Sequence, residues 1–376
     1  MKEVEFVGVV KKYGDLVAVN DLNLKVNDGE LLAILGAPGA GKSSTLKMVA
    51  GVEDITSGTI KIGDQVVNNL DPSERDVAMA FETYALYPHI SVFENIAFPL
   101  RSPKRAKYFT EEDIKKRVQE VAEFLEIDML LNRKPKELSG GQRQRVSLAR
   151  CLIRDPKVFL LDEPIAHLDA KLRHKLRREL KIWQQRKKTT TLYTTTDYLE
   201  AFSVGDRIAV LHRGSLLQVG TWDEIYERPA HRFVGQLVSD PPMNFFTGQL
   251  VGSGEKVLFE TKGIHFELSP EIQRKLSEHK LKDVVLGVFP SKILLDFSEP
   301  RLKEPAGTVV RAMVRFSEVR GSRKIVFAQA GEGITFTAQA ALGVQCPPGS
   351  EKQFFFPAAS IQLFDNVTQR NVLLLD

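Results

Sequence analysis

Residues 31–44 read Leu31-Leu32-Ala33-Ile34-Leu35-Gly36-Ala37-Pro38-Gly39-Ala40-Gly41-Lys42-Ser43-Ser44. The opening apolar run is the pattern of a strand buried on both faces. The residues after it fit G-x-x-x-x-G-K-[ST] and lead into the helical segment Leu46-Lys47-Met48-Val49. In such a turn glycines let backbone N–H groups point inward around phosphate oxygens, the lysine reaches the β- and γ-phosphates, and the serine hydroxyl can ligate Mg²⁺. Gly36, Ala37, Pro38, Gly39, Ala40, Gly41, Lys42, Ser43 and Ser44 are therefore candidate phosphate-binding residues, with Ser43 also a metal candidate.

Working outward, a second buried-strand run, Val158-Phe159-Leu160-Leu161, ends in Asp162-Glu163. Carboxylates at the C-terminal tip of a parallel strand lie where the ligands of such sheets gather. Asp162 is suited to hold Mg²⁺, directly or through water, and Glu163 to polarise an attacking water. Between these runs, Leu138-Ser139-Gly140-Gly141-Gln142 opens a helix through Val146, Leu148, Ala149 and Leu152. Ser139 can cap it, and two glycines admit a phosphate to its positive end. Taken singly, the acidic pair also suits an ordinary loop and the serine a plain cap. Their order along the chain makes them diagnostic.

Strand and helix signals alternate up to about Ala201. Thr110-Glu111-Glu112-Asp113 is a capping-box start before Ile114, Val118, Val121 and Leu125, while Leu168, Leu172, Leu176 and Leu180 recur at every fourth residue. This predicts an α/β domain with a mainly parallel core sheet. After Pro241-Pro242 the texture changes to short apolar or alternating segments at 257–260, 265–268, 284–289, 309–316, 325–328 and 353–356. Separated by Gly, Pro and Ser, they predict a small β-barrel or sandwich. The expected division is 1–240 and 241–376.

A chain of 376 residues has room for two such domains. With 43% hydrophobic and 27% charged residues, collagenous, coiled-coil and broadly disordered classes are excluded. A net charge of +4 gives no ground for a nucleic-acid partner, and the basic run at 173–178, with Arg186-Lys187-Lys188, reads as the solvated face of a helix. Cys151 and Cys346 alone cannot build a disulfide framework or a four-cysteine zinc site, and they fit a reducing compartment. Cys151 reads as core packing. MKEVEFVGVV lacks a signal-peptide pattern and no run of about 18 apolar residues occurs, so the chain is not expected to enter a membrane alone.

Together the motifs strongly resemble the ATP-binding subunits of ABC transporters, whose signature is LSGGQ at this spacing from GAPGAGKS and VFLLDE. The resemblance implies ATP and Mg²⁺ as cofactors and a head-to-tail dimer, in which Ser139, Gly140, Gly141 and Gln142 of one chain face the phosphate loop of the other. It also implies that Tyr13, in KKYGDLVAVNDLNL, stacks on adenine, a task needing only a π face. Asp169, in IAHLDAKLR, is similar to the D-loop aspartate that communicates across the dimer. Tyr84-Ala85-Leu86-Tyr87-Pro88-His89 resembles the segment beside the surface that receives coupling helices. With DPSERDVAMAF and DYLEAF it looks like the ATPases of carbohydrate importers, including those for maltose, glycerol phosphate and related polyols. Pro241-Pro242-Met243-Asn244-Phe245, Leu286-Gly287-Val288-Phe289-Pro290 and Ser360-Ile361-Gln362-Leu363-Phe364-Asp365 resemble the all-β, OB-like (TOBE-type) regulatory domain of that subgroup. The implied partners are a second ATPase subunit, identical or paralogous, two membrane permease subunits and, indirectly, an extracytoplasmic solute-binding protein, without nucleic acid. The implied location is peripheral, at the cytoplasmic face of the cell membrane.

Two positions depart from that pattern. Glu82 stands where the Q-loop glutamine is expected; it still offers oxygen to Mg²⁺ but loses the amide donors and adds charge near phosphate. Thr196 replaces the switch histidine and offers only a hydroxyl to the γ-phosphate and the attacking water. Losing a transition-state donor of this kind costs about 10²–10³-fold in rate. Three readings follow: an active importer ATPase with a compensated site, the weaker half of a heterodimer whose LSGGQ completes a partner's site, or a soluble ABC ATPase outside transport. The last sits least well with YALYPH and the C-terminal β segments.

Overall fold

Every residue of the apolar run Leu31–Leu35 is buried in the middle of a sheet, in a computed structural model that describes residues 3–103, 106–253, 256–278, 281, 283–295, 306–331 and 333–374. The chain forms two units, Met1–Trp222 and Asp223–Asp376.

The elements of the first unit, in order, are β1 (Val4–Tyr13), β2 (Leu16–Val26), β3 (Leu31–Leu35), α1 (Lys42–Ala50), β4 (Ser57–Ile62), β5 (Gln65–Val66), β6 (Val77–Ala80), α2 (Val92–Ala97), α3 (Glu111–Phe124), α4 (Gly140–Leu152), β7 (Val158–Asp162), α5 (Ala170–Lys187), β8 (Thr190–Thr195), α6 (Tyr198–Val204), β9 (Arg207–His212) and β10 (Ser215–Gly220). One sheet runs β10-β9-β3-β8-β7-β6, parallel except for β10 at its edge. A second, antiparallel sheet runs β2-β1-β4-β5.

Side-chain alternation divides the core between the two faces of the parallel sheet. Leu32, Ile34, Val158, Leu160 and Leu192 pack with α1 and the antiparallel sheet, whereas Leu31, Phe159, Leu161 and Tyr193 pack with α2 to α5. Burial on both faces is why β3 and β7 read as continuous apolar runs. The Thr110 capping box starts α3, which buries Ile114, Val118 and Ala122 along one stripe. In α5 the helix begins after Asp169, so Leu168 packs from the preceding turn while Leu176 and Leu180 carry the buried stripe.

Strand β8, Thr-Thr-Leu-Tyr-Thr-Thr, is wholly buried although four of its side chains are threonines. Each hydroxyl has a partner. Thr190 Oγ1 accepts from Gly29 N (2.9 Å), Thr191 Oγ1 donates to Thr189 O (2.9 Å), Thr194 Oγ1 donates to Asp162 Oδ1 (2.7 Å) and Thr195 Oγ1 accepts from Asp197 N (3.0 Å).

The second unit is strand-rich, as expected. One antiparallel sheet orders Ile264–Glu267, Lys256–Thr261, Asn244–Ser253, Asp283–Val288 and Gln362–Asp365; the other orders Leu294–Leu295, Glu351–Pro357, Gly307–Arg320, Arg323–Ala330 and Ile334–Ala341. Phe246, Phe259, Phe266, Phe336, Phe354 and Phe356 share one apolar core with residues of both sheets. Helix Pro270–Glu278 is an addition to the expected all-β pattern. The sequence break at Pro241 and the structural division differ over residues 223–240, whose helix Arg232–Leu237 belongs to the second unit. No helix among the described residues is long and apolar enough to cross a membrane.

Candidate functional site

The C-terminal ends of β3, β7 and β8 meet at one edge of the parallel sheet, where a parallel sheet presents its ligands. From β3 the chain turns through the glycine loop into α1, with Gly39 at φ 77° and Gly41 at φ 100°. A Cβ on Gly41 would lie 2.4 Å from Ala18 O, so both the dihedral and the space demand glycine there. The loop thereby aims the first N–H groups of α1 into the cleft, a ready anion site.

Lys42, only 5% exposed, donates from Nζ to Gly36 O (3.0 Å) and Ala37 O (3.4 Å) and pairs with Glu163 Oε1 at 3.3 Å. Ser43 Oγ donates to Asp162 Oδ1 at 3.0 Å, an oxygen that also receives the Thr194 hydroxyl. Glu163 has a left-handed backbone, φ 44°, held by its N–H, which donates to Thr194 O (3.2 Å) and Thr194 Oγ1 (3.1 Å). Lys42, Ser43, Asp162 and Glu163 are thus brought to one place, whereas Glu82, also expected at the metal, is not.

Tyr13 ends β1 half exposed, its hydroxyl 3.4 Å from Ser44 Oγ and its ring 4.6 Å from Lys11 Nζ. Tyr13, Gly39, Gly41, Lys42, Ser43 and Ser44 line a cleft of about 530 Å³. Its remaining walls, Leu16, Val17, Ala18 and Arg213, escaped the sequence reading because no motif spacing marks them. A second hollow of about 450 Å³, around Asp28, Gln184, Lys188 and Asp206, lies at the opposite ends of the same strands and holds none of the motif residues.

Ser43 and Asp162 offer two hard oxygens side by side, and no group of three or more His, Cys, Asp or Glu side chains suited to a metal occurs among the described residues. That donor set fits Mg²⁺, which takes one or two protein oxygens and completes its octahedron with substrate phosphates and water.

The other expected site residues lie outside the cleft. Ser139 caps α4, its hydroxyl accepting from Gln142 N (3.3 Å) while Gln142 Oε1 accepts from Ser139 N (2.9 Å). Gly140 and Gly141 form the first turn of α4, and this segment does not line the cleft of its own chain. Asp169 caps α5 through Leu172 N (3.0 Å) and is exposed. Glu82, in the turn after the edge strand β6, and Thr196, in the bend after β8, are both exposed and neither lines the cleft.

One residue between the motifs was missed. Buried Gln144, on α4, donates from Nε2 to Glu163 O (2.8 Å) and accepts from His167 N at Oε1 (3.0 Å), joining the signature helix to the carboxylate turn. Cys151 on the same helix is buried, and burial pushes its thiol up to about 12, which makes it an inert packing group.

Comparison with known proteins agrees with this geometry. The profile of the ABC transporter family matches residues 19–166, which span the phosphate loop through Glu163. The trehalose/maltose import ATP-binding protein MalK of Thermococcus litoralis is 41% identical over 99% of this chain and 100% of its own length. The chain belongs to the ABC transporter family. Two other ABC relatives are the trehalose import ATP-binding protein SugC of Mycobacterium tuberculosis, 46% identical over 78% of this chain and 73% of that one, and the sn-glycerol-3-phosphate import ATP-binding protein UgpC of Chromobacterium violaceum, 39% identical over 99% and 96%. Among solved ABC structures, a dimeric ATP-binding cassette in a post-hydrolysis state with ADP and Pi aligns over 58% of this chain and 98% of its own, with a TM-score of 0.54 and 31% identity.

Proposed function

We propose that this protein is the ATP-binding and hydrolysing subunit of an importer for a carbohydrate or polyol such as a sugar, glycerol or glycerol phosphate. The observation that carries the reading is the meeting of Lys42, Ser43, Asp162 and Glu163 at one sheet edge. The relatives that match nearly the whole chain are import proteins for trehalose and maltose or for sn-glycerol-3-phosphate, which favours the importer ATPase over the soluble and degenerate-partner readings.

In this proposal the loop N–H groups and Lys42 bind the β- and γ-phosphates, and Tyr13 supports the base. Ser43 and Asp162 would hold Mg²⁺, with Glu82 a further candidate oxygen. Bound there, the ion would neutralise charge developing on the transferred phosphoryl oxygens. Glu163 polarises the attacking water, and Thr196 offers its hydroxyl on the γ-phosphate side. Ser139, Gly140, Gly141 and Gln142 do not line their own cleft, and in this reading they act on the nucleotide of a second subunit, with Asp169 beside the shared face. ATP closes that dimer and its hydrolysis reopens it. Residues 1–240 carry the nucleotide chemistry, and 241–376 form the regulatory β domain. Two permease subunits supply the pore, a solute-binding protein delivers the cargo to them from outside, and this chain sits peripherally at the cytoplasmic face.

Purification of the tagged chain from detergent-solubilised native membranes tests the assembly. Two permease subunits are expected to co-purify, with ATPase activity that rises when cargo and binding protein are added. Recovery of the chain without any membrane protein, at unchanged ATPase activity, sinks the importer assignment.

A further inference from the structure

We propose that Arg213 is a nucleotide-binding residue that gives the cleft a second cation for the phosphates of the bound nucleotide. The inference deepens the proposed function and rests on its reading of the cleft as an ATP site.

Arg213 and Gly214 form the two-residue turn between β9 and β10, closed by the pair His212 and Ser215. Both have positive φ, 47° and 81°, as a type I′ hairpin turn requires. The first of those positions favours Asn, Asp or Gly, and an arginine there is out of place on conformational grounds.

The turn is fastened to the phosphate loop. Gly214 N donates to Ala40 O at 3.1 Å, and Asn20 N donates to Gly214 O at 2.8 Å. A Cβ on Gly214 would sit 2.8 Å from Ala18 O, so the hairpin tip lies hard against β2. These contacts hold the exposed Arg213 side chain on the wall of the cleft that also holds Lys42, Ser43 and Tyr13. Arg213 forms no ion pair among the described residues, whereas Lys42 pairs with Glu163. An unpaired guanidinium beside an anion-binding loop is matched in charge and geometry to phosphate oxygens.

Competition of unlabelled ligands against a fluorescent ATP analogue tests this, with Arg213→Ala, Arg213→Asn, Arg213→Lys and Lys42→Ala. Arg213→Asn keeps a side chain that suits the turn, which separates loss of charge from loss of the hairpin. Both neutral variants are expected to weaken ATP about tenfold, the lower range for a charge-assisted contact at an exposed position. Arg213→Lys is expected to recover most of that loss, and the affinity for uncharged adenosine to stay the same in every Arg213 variant. Unchanged ATP affinity in Arg213→Asn overturns the inference, as does an equal loss for adenosine, which would make the contact one to the base. If Lys42→Ala abolishes ATP binding while the Arg213 variants bind normally, the inference fails and the ATP site stands. If Lys42→Ala binds as well as the unaltered protein, the ATP-site reading itself fails.

Discussion

Lys42 Nζ stands 3.3 Å from Glu163 Oε1, so the cation expected on the phosphates and the carboxylate expected on the water are paired with each other. Turnover asks them to separate, the ammonium toward the β- and γ-oxygens and the carboxylate toward the nucleophile. Lys42→Ala should therefore abolish ATP binding at this site. Glu163→Gln removes the negative charge but keeps the length, and should leave binding intact while lowering phosphate release by about 10²–10⁴-fold. Nucleotide titration and a phosphate-release assay check both, and normal turnover in Glu163→Gln would remove Glu163 from the chemistry.

Thr196 follows the strand that carries Thr194, two residues along the chain from the hydroxyl that donates to Asp162. Restoring an imidazole there should raise ATPase activity by up to about 10²–10³-fold, the range for one transition-state donor. Steady-state rates of Thr196→His and the unaltered protein at saturating ATP decide it. No rise would mean that the threonine is not what limits the site.

Gln144 satisfies two backbone groups at once, Glu163 O and His167 N. Truncating it to alanine leaves both without a side-chain partner in a buried place, and should destabilise the first unit by about 1–3 kcal/mol. Gln144→Glu keeps the acceptor for His167 but loses the donor to Glu163. It also turns a buried carboxylate oxygen toward Glu163 O, so urea unfolding followed by tryptophan fluorescence should place its midpoint at or below that of the alanine variant. Equal midpoints for all three would show that this bridge contributes nothing.

Beneath the bend that carries Thr196, Tyr193 donates to Glu200 Oε1 at 2.6 Å, and Asp197 pairs with Arg177 at 3.7 Å. Burial raises the Glu200 carboxyl above its ordinary 4.5, with Asp197 adding to the rise and the Tyr193 and Thr195 hydroxyls and Arg177 opposing it. The folded state therefore holds the Glu200 proton more tightly than the unfolded chain. Its stabilising contribution is complete below about pH 4.5 and is lost as pH rises through the raised value. Glu200→Gln, which still accepts from Tyr193, should gain stability relative to the unaltered protein as pH increases across that window. Unfolding midpoints measured from pH 4 to pH 8 give the comparison, and a pH-independent difference would refute it.

Much of this was legible in residues. The loop from Gly36 to Ser43, the Asp162-Glu163 tip and the Ser139 cap are local patterns, and local patterns survive folding. The cleft wall was not legible, since Leu16, Val17, Ala18 and Arg213 meet only because β2 and the turn after β9 pack against the loop. Gln144 was hidden for a related reason: its partners are the main chain of a distant turn, which carries no side-chain signal. Helix Pro270–Glu278 did have a local signal that went unread, a capping Ser269 whose hydroxyl accepts from Ile272 N (3.3 Å) and a proline at the first helical position. It lay among strand-like segments, and the surrounding alternation masked it.

Strand β8 has a consequence for how the molecule reaches its working form. Its hydroxyls at Thr190 and Thr194 find their partners, Gly29 N ahead of β3 and Asp162 Oδ1 at the end of β7, in the observed pairing with those strands, whereas Thr191 and Thr195 are satisfied within their own segment. A slip by one residue turns each side chain to the other face and strands hydroxyls in an apolar layer, at about 1–3 kcal/mol for each. An all-valine strand would tolerate that mistake far better. The same Thr194 that rejects the slipped sheet also anchors Asp162 and the turn of Glu163, so proofreading of the fold and assembly of the reactive centre are a single event.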